Sequence, residues 1–165
     1  MRPPTYVATV KYGKEEFAER EIGDALYPLD PEIRIDKTVH RGVLAVYTKL
    51  NRQELLNALK ANPPSALERI VPIEFCCGVS DTQECVARNM RLLPPAVRRI
   101  RFGRKGSLHS EGVRRIKDLL KDLMDPDAEE ELLVEPLNSL VCFGIVRNGE
   151  DRFWRLREDR YTQIF

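Results

Sequence analysis

Apolar residues in the first 78 positions recur with two different periods, and these periods predict the elements of the fold. Positions 5–11 alternate between apolar and polar residues and are rich in β-branched and aromatic types, which favours a strand. After Gly13, apolar residues recur up to Leu26 at the spacing of one helical face. The same patterns then predict strands at 33–39 and 43–48, a helix at 53–61 and a strand at 69–77.

The order strand, helix, strand, strand, helix, strand predicts a ferredoxin-like βαββαβ domain over residues 1–78. In that arrangement, two helices cover one face of an antiparallel sheet. Asn51 and Glu54 have the spacing of a capping box, which places the start of the second helix. Pro72 has no backbone N–H, so the last strand is expected to be an edge strand or to contain a bulge there.

Residues 79–165 contain a second series of predicted elements. A helix from Ser80 to Leu93 is expected to end at two prolines, and an alternating strand then covers 97–102. A glycine-containing loop leads into a helix from about Ser110, and two or three strands follow with the sequences EELLVE, SLVCFGIV and FWRLRE. This series predicts a small α/β domain over residues 79–165, which makes the whole chain α+β.

The charges of the chain are distributed unevenly, although 27 Lys and Arg and 26 Asp and Glu give a net charge of +1. Eleven of the basic residues, but only the two acids Glu111 and Asp118, lie between Arg88 and Lys121. The rest of the chain therefore has an excess of eight acids. Such a concentration of positive charge favours binding to a polyanion, most commonly a nucleic acid.

Three features of this basic segment suit contact with phosphate groups. Arg99 and Arg101 occupy alternate positions of the predicted strand, so both project from one face. The loop RKGSLHS precedes a helix N-terminus, whose unpaired N–H groups and positive dipole attract phosphate. Inside the helix, Arg114, Lys117 and Lys121 form a basic column beside the apolar stripe. The candidate binding residues are Arg99, Arg101, Arg104, Lys105, Ser107, His109, Arg114 and Lys117.

The loop before this helix has two interpretations. Gly103 and Gly106 would let a phosphate approach the backbone closely, and His109 would stack on a base or donate to phosphate. Alternatively, the loop is a solvated connection in which Ser107 or Ser110 caps the helix.

The remaining composition points to neither a metal nor a membrane. The spacing of Cys76, Cys77, Cys85 and Cys142 does not match a zinc site. It favours buried free cysteines, with a strained or regulatory disulfide as the alternative. We expect no metal and no cofactor. No apolar run is long enough to span a bilayer, and the N-terminus lacks the apolar core of a signal peptide, so a cytoplasmic location is expected.

The order and spacing of several short motifs resemble the THUMP family, an RNA-binding module of many tRNA-modifying enzymes. RGVLAVYT and ERIVPIE are similar to its N-terminal ferredoxin-like domain, and RRIRF, RKGSLHS and LLVEPLNSLVCFGIV follow in the order of the THUMP domain. One departure is the stretch around Pro136, where the family commonly has an Asn-Pro-Asp-like turn. The chain especially resembles stand-alone members that assist a tRNA cytidine acetyltransferase. This resemblance implies RNA binding by the candidate residues, with the acceptor stem and 3′ end of tRNA as the ligand.

The leading hypothesis from the sequence is a tRNA-binding adaptor that is not an enzyme and binds no DNA. It would present tRNA to a modifying enzyme acting in trans, an acetyltransferase according to the resemblance. The chain lacks nucleotide-binding glycine motifs and a deaminase-type His and Cys set. The alternatives are a protein-interaction or regulatory module without RNA binding, and an RNA-modifying enzyme of unrecognised type.

Overall fold

The computed structural model of the 165-residue chain describes residues 1–103, 110–147 and 149–153. The chain is a mixed α+β protein, as the sequence predicts. It forms two compact units. Residues 4–72 with 149–153 form the βαββαβ unit, and residues 1–3 with the described residues of 73–147 form the disulfide unit. The division into two independently folding domains, 1–78 and 79–165, stays a prediction.

The βαββαβ unit has the element order that the sequence predicts. Its strands follow one another in space as β2-β3-β1-β4, and each neighbouring pair is antiparallel. The predicted capping box is present, because the Asn51 side chain accepts from the Glu54 N–H and the Glu54 carboxylate accepts from the Asn51 N–H. The elements are β1 (Tyr6–Val10), α1 (Glu15–Leu26), β2 (Arg34–Lys37), β3 (Val43–Tyr47), α2 (Arg52–Ala61) and the first part of β4 (Leu67–Gly78).

The core of the βαββαβ unit forms where α1 and α2 cover the sheet. Ile22 and Leu26 from α1 and Leu55 and Leu59 from α2 are almost fully buried against alternate residues of β1. The helical spacing of these residues explains why the apolar pattern predicts both helices.

The disulfide unit contains the second part of β4 and the elements of the predicted α/β half. Its strands follow one another as β4-β7-β6-β5, with β5 parallel to β6 and the other pairs antiparallel. The rings of Phe75 and Phe143 stack in its core with centroids 4.8 Å apart. The further elements are α3 (Thr82–Arg88), β5 (Ile100–Phe102), α4 (Ser110–Leu120), β6 (Glu130–Leu137) and β7 (Leu140–Arg147).

Several element boundaries differ from the prediction. The helix predicted to reach Leu93 ends at Arg88, and a 3₁₀ turn over Met90–Leu92 follows it. The irregularity expected at Pro72 lies just after it, between Ile73 and Phe75. The predicted strand FWRLRE lies outside the described residues from position 154 on.

All four cysteines are paired, so the prediction of free cysteines is wrong. One disulfide joins Cys76 of β4 to Cys142 of β7, and the other joins Cys77 of β4 to Cys85 of α3. Successive residues of a strand point to opposite faces, so the adjacent Cys76 and Cys77 reach different partners. Cys76 and Cys142 are directly opposite each other in the pairing of β4 with β7, although they are 66 residues apart in the chain.

Removing the Cys76–Cys142 bridge is expected to cost more stability than removing the Cys77–Cys85 bridge. In the chain-entropy description, a bridge restricts the unfolded chain, and its effect grows with the length of the closed loop. Separations of 66 and 8 residues correspond to about 4 and about 2.5 kcal/mol of unfolding free energy, respectively. Urea denaturation of the two paired Cys→Ser variants measures the difference, and equal losses would contradict this account.

Candidate nucleic-acid interface

Glu131 of β6 is the centre of the arginine contacts at β5. Its side chain is fully buried, and its Oε2 atom forms ion pairs with Arg99 and, at 3.0 Å, with Arg101. β5 runs parallel to β6, and Arg101 lies opposite Leu133, two residues after Glu131. A buried carboxylate is costly unless cations or N–H groups compensate its charge. The two arginines therefore have an internal partner that holds them in place.

Arg99, just before β5, and Arg101 of β5 differ in exposure. Arg99 keeps 50% of its side chain exposed, whereas Arg101 keeps 18%. Arg99 is consequently able to offer guanidinium N–H groups to a ligand while it stays paired with Glu131, since a guanidinium has five donors. Arg101 mainly compensates the buried charge. The contact of either residue with RNA stays a prediction.

The basic column on α4 is exposed, as its helical spacing implies. Arg114 and Lys117 both point to solvent, whereas Ile116 and Leu120 are buried in the core. The Lys117 ammonium lies 5.6 Å from the centre of the Phe102 ring, which places the column beside β5.

Arg99 and Arg101 lie on the opposite face of the sheet from the α4 column. α4 packs on the face that contains Ile100 and Phe102, whereas Arg99 pairs with Glu131 on the other face. The two sets of cations approach each other along β5, which is the last strand in the described order β4-β7-β6-β5. The sequence suggested one continuous basic surface, and the structure has a sheet edge with cations on both sides.

The other four candidate residues, Arg104, Lys105, Ser107 and His109, lie outside the described residues. Gly103, just before them, is described, and its N–H donates to the Val134 carbonyl at 2.8 Å. A Cβ at position 103 would overlap with the buried carboxylate of Glu135. Because Gly103 has no side chain, its backbone can pass over Glu135. This role of Gly103 differs from the phosphate contact that was expected from the sequence.

Replacing Gly103 by alanine is expected to lower the free energy of unfolding by about 1–3 kcal/mol, because the added methyl group meets a carboxylate that is held in a buried position. Gly23 provides the matched control. A Cβ there would meet nothing within 4 Å, so Gly23→Ala inside α1 should stabilise by about 0.5–1 kcal/mol. Chemical denaturation of both variants tests the contrast, and a neutral Gly103→Ala would rule out a close contact with Glu135.

Sequence reasoning missed the two buried glutamates of β6. Glu131 and Glu135 are 0% and 2% exposed, and the alternation of a strand places them on the same face with Leu133 between them. Their position in an otherwise apolar strand was the available signal. Buried carboxylates need partners, and Arg99 and Arg101 both pair with Glu131.

Two further properties hold for the part of the chain that the structure describes. No three His, Cys, Asp or Glu side chains there are grouped so that they could hold a metal ion. No helix within the same ranges has the length and the apolar composition that crossing a bilayer requires.

Comparison with known proteins gives structural matches only. No family model and no curated protein matches the sequence. The chain is similar to TrmN from Thermus thermophilus, with a TM-score of 0.57 and 15% identity over 96% of this chain and 54% of that one. It is also similar to a possible methylase from Clostridium difficile 630, with a TM-score of 0.53 and 16% identity over 89% of this chain and 41% of that one. For PH1313 from Pyrococcus horikoshii Ot3, the TM-score is 0.52 and the identity 13%, over 86% and 54% of the two chains.

These likenesses concern the fold, and the chain spans about half or less of the length of these proteins. They nevertheless correct one prediction. The sequence suggested a protein that is not an enzyme, but nearly the whole chain is similar to a portion of larger proteins, one of them described as a possible methylase. The fold is therefore one that occurs within proteins of enzymatic type, and the prediction of a non-enzyme is wrong.

Proposed function

We propose that this chain is the RNA-binding part of an enzyme that modifies tRNA. The observation that carries the proposal is the exposed column of Arg114 and Lys117 on α4, beside β5, the last strand in the described order. The half-exposed Arg99 lies on the other face of the sheet. Cations held along a sheet edge and a helix flank can follow a phosphate backbone without reading base sequence.

The finer parts of the proposal come from the sequence resemblance to the THUMP family. They are a ferredoxin-like arrangement followed by a THUMP domain, and recognition of the acceptor stem and 3′ end of tRNA. A cytoplasmic location, which was expected from the sequence apart from this resemblance, is also part of the proposal. The resemblance also suggests acetylation of a cytidine as the modification. We assign binding to the described residues and leave the chemical step to another part of the enzyme.

A binding experiment with three nucleic acids tests the proposal. Affinity is measured over a range of salt concentrations for full-length tRNA, for the same tRNA without its unpaired 3′ nucleotides, and for duplex DNA. We expect the full-length tRNA to bind most tightly, with an affinity that falls steeply as salt increases, because bound cations release counterions from the phosphates. Equally weak and salt-insensitive binding of all three would reject RNA binding and leave a protein-interaction module.

A further inference from the structure

A groove lies between α3 and α4, on the flank of α4 that faces away from the basic column. Its volume is about 350 Å³. Residues 79–84, which contain a 3₁₀ turn and the start of α3, line one side. The other side is formed by Gly112, Arg115, Ile116 and Leu119 of α4.

The surface of this groove is partly apolar and accessible to solvent. The Val79 side chain is 39% exposed, and Leu119 is half-buried above the buried Ile116. Gly112 has no side chain, so the groove is shallower at this end of its α4 side. Exposed apolar area enclosed by a polar rim is typical of surfaces that bind another protein.

The rim of the groove is acidic. Asp81 and Glu84 are exposed on the α3 side. On the α4 side, Arg115 pairs with Glu111 at 2.8 Å, which compensates its charge. Arg88 lies 3.9 Å from Asp81, but both side chains are more than half exposed, and such a pair contributes little and is easily exchanged for another cation. The groove therefore favours a cationic ligand, whereas the opposite flank of α4 carries Arg114 and Lys117.

We propose that this groove binds a basic amphipathic helix of a partner protein. An incoming helix would place aliphatic side chains, spaced by one turn, on Val79 and Leu119, and its Lys or Arg side chains beside Asp81 and Glu84. The phosphates of a nucleic acid would instead meet these two carboxylates. The identity of the partner as the catalytic part of a tRNA-modifying enzyme rests on the function proposed above, whereas the binding of a basic helix does not.

The test uses the full chain and a fluorescein-labelled synthetic helix that has leucines at positions i, i+4 and i+7 and lysines on its flanks. A second helix with glutamates in place of the lysines is the matched probe. Fluorescence anisotropy should detect binding of the lysine helix and no binding of the glutamate helix. The Asp81→Lys/Glu84→Lys variant should bind the lysine helix at least ~10-fold more weakly, since complementary charges become repulsive. Lys117→Glu, on the opposite flank, should not weaken binding.

Failure to bind the lysine helix, equal binding of both helices or unchanged affinity of the Asp81→Lys/Glu84→Lys variant would overturn the proposal. Circular dichroism verifies that the variants are folded, and Glu84→Lys alone repeats the test if the double variant is destabilised. tRNA binding is measured with the same proteins. An absence of tRNA binding would reject the proposed function and leave the result for the helix unaffected, so the two failures are distinguishable.

Discussion

Replacing Glu131 by alanine is expected to lower the free energy of unfolding by about 3 kcal/mol, because breaking a buried ion pair by removing one partner is strongly destabilising. Two arginines pair with this carboxylate, and Arg101 has only 18% of its side chain in solvent. Arg99 is half exposed and can regain hydration, so the effect should lie at the lower end of the range for buried pairs. Urea denaturation followed by circular dichroism measures the loss.

Glu129→Ala is the matched control for this experiment. Glu129 is an exposed acid two positions earlier, and its removal should change stability by less than about 0.5 kcal/mol. A double-mutant cycle with Glu131→Leu and Arg101→Leu then measures the coupling between the two buried groups. The double variant should be more stable than the two separate losses predict, since the Glu131–Arg101 pair is lost only once in it. Additive losses would show that Glu131 and Arg101 do not stabilise each other.

Reversing the charge of the α4 column is expected to reduce affinity for tRNA on the order of tenfold to hundredfold at ~0.1 M salt. Arg114→Glu and Lys117→Glu change two exposed side chains, so the fold should be retained. Each lost phosphate contact should also lower the slope of log affinity against log salt by about one. Filter binding over a salt series measures both quantities.

The matched control reverses two basic residues that lie away from the column. Arg91→Glu with Arg115→Glu changes the net charge by the same amount, but Arg115 faces the groove flank of α4 and Arg91 follows α3. Affinity should then fall much less, by the weaker effect of net charge alone. A loss as large as that of the column variant would show that tRNA responds to overall charge and not to the α4 column.

Elements with a local period were predictable from the sequence. The apolar spacing of α1 and α2 and the β-branched and aromatic residues of β1 are properties of residues that are close in the chain, and the capping box depends on two residues three positions apart. The alternation along β5 was predictable for the same reason. This alternation places Arg99 and Ile100 on opposite faces of the sheet, whichever strand lies beside β5.

Features that depend on neighbouring strands were not predictable. No short-range pattern shows that β5 lies parallel to β6, so the contact of Arg99 and Arg101 with Glu131 could not be read from the chain. The pairing of Cys76 with Cys142 depends in the same way on the register of β4 and β7. The expectation of a single basic surface was wrong for a related reason. Periodicity shows which face of its own strand or helix a residue lies on, but it does not show on which side of the folded unit that face is.

The bridge between Cys76 and Cys142 also determines how the chain responds to cleavage. A single cut by a protease anywhere between these two cysteines leaves two fragments that the disulfide still joins. The fragments would migrate as one band in electrophoresis without a reducing agent and separate only when the bridge is reduced. A chain nicked in this region therefore keeps α4 in the same covalent molecule as the βαββαβ unit.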